Sequence, residues 1–326
     1  MGEINKIAVL TSGGDAPGMN AAIRAVVRSA VNYEIEIVGV MQGFSGLISG
    51  DFVEMDKRSV SNIINRGGTI LKTARSEEFK TKQGREKAHQ NLKNQHVDAL
   101  VVIGGDGSFT GARVFEQEFQ IPCIGIPGTI DNDIYGTDFT IGFDTAVNTV
   151  IEAVDKIRDT ASSHNRFFFI EVMGRDSGYI AMYSGIACGA EKIMIPEIDG
   201  EFDALVKTLK QGRKRKKTSN IVIVAEGERE GGAYEIAEKT KLAFPEFDVK
   251  VTVLGHTQRG GSPSCSDRVM ATRMGVKAVE CLMLGRSNVM VGIVNNHIIT
   301  TSLQDAVKQH PGLNPELLKV AQIASI

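Results

Sequence analysis

Short apolar segments alternate with helix-length amphipathic segments along most of this chain of 326 residues. Apolar runs bounded by Gly or Pro are typical of buried strands, whereas apolar residues at every third or fourth position are typical of helices. The predicted strands are residues 6–10, 35–41, 97–103, 121–126, 167–173, 192–195, 220–225, 249–254 and 289–294. The predicted helices are residues 19–31, 83–95, 109–119, 144–162, 177–187, 202–212, 233–242 and 268–284. Strands that alternate with helices in this way predict an α/β fold with doubly wound, mostly parallel sheets.

The length and composition of the chain indicate which broad class of protein it belongs to. A chain of 326 residues exceeds one ordinary domain, so we expect two lobes with separate cores. The formal net charge of -2 excludes a chain-wide positive field for nucleic acid or an anionic membrane. No uninterrupted apolar run reaches about 18 residues and the sequence begins without a basic, apolar leader, so we expect neither a membrane span nor secretion. The four cysteines lie far apart, which favours a reducing cytoplasm over a disulfide framework or a zinc site.

Residues 127–133 (PGTIDND) place a hydroxyl and two carboxylates on a turn that directly follows a predicted strand. Ligands of open α/β sheets bind outside the carboxyl ends of strands, so this turn is well placed to handle a proton beside a phosphate. The structural alternative is an Asx-turn in which Asp131 and Asp133 accept hydrogen bonds only from nearby backbone amides. The turn taken alone leaves both interpretations open.

Two glycine-rich turns, residues 11–18 (TSGGDAPG) and 104–108 (GGDGS), each lie between a predicted strand and a predicted helix. Amides at a helix N-terminus attract anions, and glycine lets the backbone approach a phosphate closely. Asp106 in the second turn suits Mg²⁺ held against phosphate oxygens. Either turn alone could be an ordinary tight turn, but the pair favours a nucleotide or sugar phosphate. The Walker loop and the kinase H-R-D motif are absent, whereas Gly105, Gly107 and Gly111 leave a dehydrogenase open as an alternative.

Together with residues 173–175 (MGR) and 255–263 (GHTQRGGSP), these motifs closely resemble bacterial ATP-dependent 6-phosphofructokinases, in order and through nearly the whole chain. The resemblance implies transfer of the γ-phosphoryl group of ATP to the 1-hydroxyl of fructose 6-phosphate, which gives fructose 1,6-bisphosphate and ADP. It also implies two doubly wound lobes with the active site in the cleft between them. The nucleotide lobe is expected at residues 1–141 plus 257–307, and the sugar-phosphate lobe at residues 142–256 plus 308–326.

The resemblance further implies a role for each site residue. Asp131 is expected to be the general base and Thr129 to orient the hydroxyl or the transferring phosphoryl group, while Arg75 and Arg175 neutralise charge. Asp106 is expected to bind Mg²⁺, and Asp133 to support the site or contact the metal weakly. The residues expected to bind ATP are Gly14, Arg75, Ser76, Gly105, Asp106, Gly107 and Ser108. The residues expected to bind fructose 6-phosphate are Thr129, Ile130, Asp131, Arg166, Met173, Gly174, Arg175, Glu226, Lys250, His256, Thr257, Gln258 and Arg259.

Two glycines favour ATP over pyrophosphate as the phosphoryl donor. Pyrophosphate-dependent relatives, the alternative within the family, typically carry Asp where this chain has Gly107 and Lys where it has Gly128. A carboxylate at residue 107 would crowd and repel the α-phosphate of a nucleotide. A non-catalytic sugar-phosphate sensor is a third interpretation, but such a sensor is expected to lack the base that Asp131 provides.

The resemblance also implies a homotetramer that ADP and phosphoenolpyruvate regulate at a site between subunits. The residues expected at this effector site are Arg24, Arg28, Lys57, Arg58, Arg158, Gly189, Ala190, Glu191, Arg213, Arg215 and Lys217. The cations at 213–217 could equally be a solvated helix end, which leaves their effector role open. Lys57 and Lys250 stand where the family usually has Arg. We expect Lys250 to bind the 6-phosphate at a neighbouring subunit less tightly, since Lys lacks the bidentate fork of Arg.

Overall fold

The computed structural model describes residues 4–161, 166–214, 219–309 and 312–324, and its fold divides into two compact units. Unit 1 comprises Met1–Thr129, Asp133–Thr145 and Arg259–Pro311, and unit 2 comprises Ile130–Asn132, Ala146–Gln258 and Gly312–Ile326. The assignment of one ligand to each lobe stays a prediction. Within the described ranges, no helix is both long and apolar enough to span a membrane.

The secondary structure alternates strands and helices along the chain. The strands are β1 (Lys6–Thr11), β2 (Glu36–Val40), β3 (Phe52–Glu54), β4 (Ala99–Gly104), β5 (Cys123–Pro127), β6 (Arg166–Val172), β7 (Lys192–Met194), β8 (Ser219–Ala225), β9 (Asp248–Val253), β10 (Val289–Val294) and β11 (His297–Ser302). The α-helices are α1 (Met19–Asn32), α2 (Gly43–Ser49), α3 (Lys82–Asn94), α4 (Asp106–Phe119), α5 (Phe143–Ala161), α6 (Tyr179–Ala187), α7 (Glu201–Lys214), α8 (Ala233–Ala243), α9 (Cys265–Met283), α10 (Leu303–Lys308) and α11 (Pro315–Ala324). Short 3-10 helices cover Glu78–Lys80 and Gly255–Arg259.

The sheet of unit 1 has the order β11-β10-β5-β4-β1-β2-β3 among the described residues. The edge strands β3 and β11 run antiparallel to their neighbours, and the other pairs are parallel. Every residue of the central strand β4 is buried, as expected when helices cover both faces of a parallel sheet. On one face, a cluster of buried aromatic side chains packs under α2, α3 and α4; it includes Phe44, Phe79, Phe109 and Phe115. On the other face α1 packs along α9.

The sheet of unit 2 has the order β7-β8-β6-β9, and all its described pairs are parallel. Its core joins Phe167 and Phe169 of β6 to apolar residues of α7 and α8, such as Leu205 and Ile236. The two sheets confirm the predicted α/β class with mostly parallel strands.

Several short elements of the fold are absent from the sequence prediction: α2, β3, β11, α10 and α11. The hairpin between β10 and β11 turns on Asn295 and Asn296, which have φ values of 49° and 63°. Positive φ at both central residues is the requirement of a type I′ hairpin turn, for which Asn-Asn is a weaker signal than Asn-Gly. In α2, Gly43 and Gly46 lower helix propensity, and a Cβ at residue 46 would meet the Met41 carbonyl oxygen. This helix is therefore fixed by packing.

Candidate functional site

The three turns singled out from the sequence follow three neighbouring strands of unit 1. Their strands lie in the order β5-β4-β1, and Thr11 is paired with Ile103. The chain continues from β1 to one side of the sheet and from β4 to the other, so a topological switch point lies between β1 and β4. Ligands of doubly wound sheets bind outside the carboxyl ends of the strands at such a point. The sheet order therefore brings both glycine-rich turns to the expected position.

Close backbone approach between the two glycine-rich turns explains some of their glycines. The Ser12 N–H donates to the Ile103 carbonyl oxygen at 2.9 Å. A Cβ at Gly104 would lie 2.6 Å from the Ser12 carbonyl oxygen and 2.5 Å from the Ser108 Oγ. Gly13 has a φ of 88°, and its carbonyl oxygen accepts a 2.8 Å hydrogen bond from the Thr73 Oγ1. These positions thus require glycine for the fold itself, before any ligand binds.

Gly107 has a different environment, because a Cβ placed there would meet no atom within 4 Å. It lies in the first turn of α4, directly after Asp106. The N-terminus of a helix carries partial positive charge and donor amides, which suits a phosphate. The open space at Gly107 fits a site that leaves room for a ligand beside this helix end.

Asp106 is the residue predicted to bind a magnesium ion. No group of three or more His, Cys, Asp or Glu side chains in the described ranges is arranged to hold a metal by itself. Mg²⁺ usually binds one or two carboxylates, several waters and the phosphates of a substrate, so a single accessible carboxylate at the helix end fits this ion. The donors present suit Mg²⁺ that arrives with a nucleotide.

The turn after β5 is hydrogen-bonded to the end of β4 and to a residue that follows it in the chain. The Gly128 N–H donates to the Gly104 carbonyl oxygen at 3.0 Å, and the Thr140 Oγ1 donates to the Thr129 carbonyl oxygen at 2.6 Å. A Cβ at Gly128 would lie 3.1 Å from the Ile103 Cγ2 and 3.2 Å from Met19, so the residue is closely packed. Thr129 also lies beside the second glycine-rich turn, its Cβ being 3.9 Å from the position of a Cβ at residue 105.

Asp131 belongs to unit 2, where it lies beside Arg175. The Asp131 side chain is only 3% exposed, and its Oδ2 is 3.7 Å from the Arg175 Nε. The Ser177 Oγ donates to the Asp131 backbone carbonyl oxygen at 3.0 Å. The next residue, Asn132, has a φ of 52°, a left-handed conformation that Asn tolerates better than most residues. A buried carboxylate next to a half-exposed guanidinium can accept a proton while the cation faces a ligand's charge.

The 173–175 turn follows β6 and is held by Glu226, the residue after β8. The Glu226 Oε1 accepts hydrogen bonds from the Gly174 N–H at 3.3 Å and the Arg175 N–H at 2.8 Å. Arg175 has a φ of 52°, and Gly174 one of 141°. A Cβ at Gly227 would lie 1.9 Å from the Arg175 carbonyl oxygen. The sequence interpretation placed Glu226 at the sugar, and the structure adds that its carboxylate holds the Arg175 backbone in a strained conformation.

The residues that follow β9 differ in burial and in hydrogen bonding. Gln258 is fully buried, and its Oε1 accepts from the Met173 N–H at 3.2 Å while its Nε2 donates to the Gly255 carbonyl oxygen at 3.0 Å. His256 and Thr257 are at least partly exposed. Within unit 1, the Arg259 Nη1 donates to the Asp15 carbonyl oxygen at 3.2 Å. Gln258 therefore aligns two strand ends, whereas His256 and Thr257 remain accessible to a ligand.

Arg166 and Lys250 lie at the opposite end of the unit 2 sheet from the 173–175 turn. Arg166 begins β6, which then extends for six more residues to Val172, a distance of about 20 Å. Asp248 lies between the two cations, 2.8 Å from the Arg166 Nε and 2.9 Å from the Lys250 Nζ. Hydrogen bonds from Lys250, and then from Arg166, lower the pKa of Asp248. Within one chain, Arg166 and Lys250 therefore do not lie near the predicted substrate-binding residues that follow the carboxyl ends of the unit 2 strands.

The predicted effector residues fall in both units. In unit 1, Arg24 and Arg28 lie one turn apart on α1, and the pKa of Arg24 is lowered by burial and then by the Arg28 charge. Lys57 and Arg58 are exposed after β3. In unit 2, the Arg158 guanidinium donates to the carbonyl oxygens of Cys188 and Gly189.

The remaining predicted effector residues precede β7 or lie at residue 213 and beyond in the sequence. Ala190 is buried, and the Glu191 Oε2 accepts from the Ile221 N–H at 2.7 Å. Arg213 lies near the end of α7, and Arg215 and Lys217 lie outside the described residues.

Other predicted residues are accessible or act within their own loops. Arg75 is exposed, and the Ser76 Oγ accepts from the Phe79 N–H at 3.3 Å at the start of a short 3-10 helix. Ile130 is fully buried.

Sequence reasoning missed Thr140 and Asp267, whose hydrogen bonds join segments 11 and 125 residues apart in the chain. No sequence signal distinguishes Asp267 from an ordinary aspartate in the first turn of a helix.

Comparison with known proteins identifies the family of this chain. Residues 6–282 match phosphofructokinase. ATP-dependent 6-phosphofructokinase 2 of Bacteroides thetaiotaomicron is 53% identical over 326 residues, which is 100% of both chains. ATP-dependent 6-phosphofructokinase of Cytophaga hutchinsonii is 54% identical over 319 residues, covering 98% of this chain and 97% of the relative.

A solved structure supports the same relationship. Phosphofructokinase from Saccharomyces cerevisiae matches with a TM-score of 0.88 and 38% identity. The match covers 98% of this chain and 47% of the yeast chain, so this chain spans about half of that one. Because the family match and the full-length identity cover nearly every residue, the chain belongs to the phosphofructokinase family, as its motifs predict.

Proposed function

We propose that this chain transfers the γ-phosphoryl group of ATP to the 1-hydroxyl of fructose 6-phosphate, giving fructose 1,6-bisphosphate and ADP. The observation that carries the proposal is the buried Asp131 carboxylate, 3.7 Å from the Arg175 guanidinium at a strand end. A base and a cation together are what phosphoryl transfer to an alcohol needs, since a proton must leave while negative charge is stabilised.

Each group then has a step in the reaction. Asp131 accepts the proton of the sugar 1-hydroxyl, and Thr129 orients that hydroxyl or the transferring group. Arg75 and Arg175 neutralise charge on the group in transit, and the N-terminus of α4 binds the nucleotide phosphates. Asp106 would hold Mg²⁺, which supplies charge neutralisation on the phosphates when bound.

The choice of ATP over pyrophosphate is supported by the names of the relatives and by two glycines. The open space at Gly107 suits a nucleotide, which has an α-phosphate that pyrophosphate lacks. A lysine at residue 128 would have to displace Ile103 or Met19, since a Cβ alone would lie 3.1 Å from the first and 3.2 Å from the second.

A coupled assay with fructose 6-phosphate and either ATP or pyrophosphate tests the reaction. We expect turnover with ATP and Mg²⁺ only, and loss of about 10²- to 10⁴-fold in kcat for Asp131→Asn with little change in substrate binding. The matched control is Asp199→Asn, which removes an exposed carboxylate 2.7 Å from Arg229 in the same unit. Activity that survives in Asp131→Asn would show that another group accepts the proton.

The same assay separates the competing functions. A dehydrogenase would turn over a nicotinamide cofactor without Mg²⁺, and a sensor would bind fructose 6-phosphate without turnover.

We place this activity in the cytoplasm. The four cysteines all lie in described ranges and are free thiols, which fits a reducing compartment.

We further propose that the chain works as a homotetramer in which Arg166 and Lys250 bind the 6-phosphate at a neighbouring subunit's site. The support is the separation of about 20 Å along β6 between Arg166 and the 173–175 turn of the same chain. Lys250 shares the Asp248 carboxylate with Arg166 at that end of the sheet. His256, Met173 and Gly174 would then bind the substrate from their own subunit.

Co-expression of two defective variants tests this arrangement. Asp131→Asn and Arg166→Ala would each be inactive alone, whereas mixed oligomers would contain some sites with both native residues and regain activity. Mixed oligomers that stay inactive would argue against a shared site. Lys250→Arg is expected to lower the half-saturating concentration of fructose 6-phosphate, because Arg can bind a phosphate in bidentate fashion. An unchanged value would remove that idea.

Regulation by ADP and phosphoenolpyruvate is proposed for the effector residues. Arg24 and Arg28 form a cationic pair that suits an anionic ligand. Glu191 would hold the Mg²⁺ of ADP. Fructose 6-phosphate saturation curves with and without each effector test this role. Curves unmoved by both effectors at substrate concentrations near half-saturation would contradict it.

A further inference from the structure

Asp267 is a fully buried carboxylate in the first turn of α9, and it receives hydrogen bonds from a distant segment of unit 1. Its Oδ1 accepts from the Gly142 N–H at 2.8 Å. Its Oδ2 accepts from the Thr145 N–H at 2.9 Å and from the Thr145 Oγ1 at 2.5 Å. The Thr145 Oγ1 in turn accepts from the Ser264 N–H at 3.0 Å. Both carboxylate oxygens are thus used to hold residues 142–145.

Residues 142–145, which Asp267 holds, directly follow residues 140 and 141, which are hydrogen-bonded to the turn after β5. The Thr140 Oγ1 donates to the Thr129 carbonyl oxygen at 2.6 Å, and the Ile141 N–H donates to the Pro127 carbonyl oxygen at 2.9 Å. Gly128 and Ile141 form an isolated parallel β-bridge. A continuous set of contacts therefore runs from Asp267, through residues 140–145, to the backbone on both sides of Gly128.

Packing reinforces this connection on the side of the first glycine-rich turn. A Cβ at Gly18 would lie 2.6 Å from the Ile141 Cγ2 and 3.5 Å from the Asp267 Cβ. Gly18 has a φ of 108° and precedes the first residue of α1. The Asp267 atoms nearest to that position are its Cβ and its backbone carbonyl oxygen.

We propose that Asp267 is a positioning residue for phosphoryl transfer, which fixes the Pro127–Thr129 backbone through residues 140–145. The inference rests on the proposed function, because Thr129 is assigned there to orient the reacting groups. Asp267 acts through the backbone of the turn and touches no reacting atom. A misplacement of about 1 Å at a reacting group can cost about 100-fold in rate.

A carboxylate is needed here because three donors converge on it. The substitution Asp267→Asn would replace one of the two acceptor oxygens by an NH₂ group, and this donor would face a backbone N–H or the Thr145 hydroxyl. The pKa of Asp267 is raised, because the effect of burial exceeds the opposing effect of the hydrogen bonds from Thr145 and Gly142. The three donors therefore offset part of the cost of burying this carboxylate.

Kinetics of Asp267→Asn and Thr145→Val test the role. Thr145→Val keeps the side-chain shape but removes the hydroxyl between Asp267 and Ser264. We expect each variant to lower kcat by about 10- to 100-fold and to leave KM for ATP within about twofold, since the nucleotide contacts are intact. Thr145→Ser keeps the hydroxyl and should restore most of kcat. The double variant should be no worse than the poorer single variant, because both changes remove the same interaction.

Asp305→Asn is the matched control. Asp305 occupies the same position in the first turn of α10, where its N–H donates to the Ser302 Oγ at 3.0 Å, but it is exposed. The kcat of the Asp305→Asn variant should equal that of the unchanged chain. The unfolding midpoint of every variant is measured in parallel, and Thr145→Val decides the question if Asp267→Asn fails to fold.

The outcomes separate the two proposals. An unchanged chain without phosphoryl transfer from ATP to fructose 6-phosphate would overturn the proposed function, and the positioning role with it. An active unchanged chain together with folded Asp267→Asn or Thr145→Val whose kcat stays within about threefold would overturn the positioning role alone. Faster amide hydrogen exchange in residues 127–145 in both variants, but not in Asp305→Asn, would support it.

Discussion

Gly107→Asp is expected to stabilise the fold while it impairs the use of ATP. A Cβ at residue 107 meets no atom within 4 Å, and the residue lies in the first turn of α4. Nothing in the described surroundings of this residue therefore opposes a side chain. If glycine is present for the nucleotide, stability and activity must respond in opposite directions to the same substitution.

The gain in stability has two sources. A side chain in place of glycine at a compatible backbone position raises the free energy of unfolding by about 0.4–1 kcal/mol, since the unfolded chain loses conformational freedom. A carboxylate in the first turn of a helix adds about 0.3–1 kcal/mol through the helix dipole. A total of about 0.7–2 kcal/mol corresponds to a rise of about 2 to 8 °C in Tm for a unit of this size.

The loss of activity follows from charge. Two like unit charges about 5 Å apart repel by about 1 to 3 kcal/mol at the dielectric constants between water and a protein surface. A carboxylate at residue 107 that faces a nucleotide phosphate should therefore lower kcat/KM for ATP by about 5- to 150-fold. Binding of fructose 6-phosphate should be unchanged.

Thermal unfolding without nucleotide and steady-state kinetics with ATP check both effects. Gly107→Asn matches Asp in size but lacks its charge, so it should keep most of the activity if repulsion dominates over crowding. Gly107→Ala should be stabilised and active. The reasoning fails if Gly107→Asp unfolds at a lower temperature than the unchanged chain, or if its kcat/KM for ATP is unaltered.

Three other substitutions or modifications test the packing and the titrating groups. Gly104→Ala should lower the free energy of unfolding by about 1–3 kcal/mol in urea titrations, because its Cβ would lie 2.6 Å from the Ser12 carbonyl oxygen; a neutral effect would mean that the two turns move apart easily. Burial raises the pKa of Glu228, so ionisation of this carboxyl costs stability as the pH rises through its unfolded-state pKa. Glu228→Gln should therefore unfold at higher urea than the unchanged chain at pH ~7 but not at pH ~4, and the opposite order would refute the shift. Burial raises the pKa of Cys188 to about 11, so about 0.1% of it is thiolate at pH ~8 and iodoacetamide should label the exposed Cys265 first, as peptide mass spectrometry would show.

Much of the fold follows from local sequence signals. The apolar run that becomes β4 is buried along its whole length, and its end follows from the Gly104–Gly105 pair. The turns after β1, β4 and β5 all lie where predicted, because a strand end followed by glycine and a helix is a local pattern. The neighbourhood of these turns in space depended on strand order, which the sequence does not encode locally.

The interactions that hold the site were not predictable in the same way. Thr140 and Asp267 form hydrogen bonds with partners 11 and 125 residues away in sequence, and neither residue type is unusual at its position. A buried aspartate after a serine N-cap looks like an ordinary helix start. Only the folded chain shows that its carboxylate serves residues 142–145 instead of its own helix.

Arg166 and Met173, two of the predicted substrate-binding residues, show that a family resemblance can suggest a residue's role without indicating where the residue lies in the fold. Arg166 begins β6 and Met173 follows it, and an extended strand of this length separates its ends by about 20 Å. That separation could have been read from the sequence, since the strand itself was predicted. A fructose 6-phosphate molecule is far shorter than this strand, so one chain cannot apply Arg166 and Met173 to the same molecule while β6 stays intact. Either Arg166 serves another subunit or it does not bind the substrate, and the mixed-oligomer experiment distinguishes these two cases.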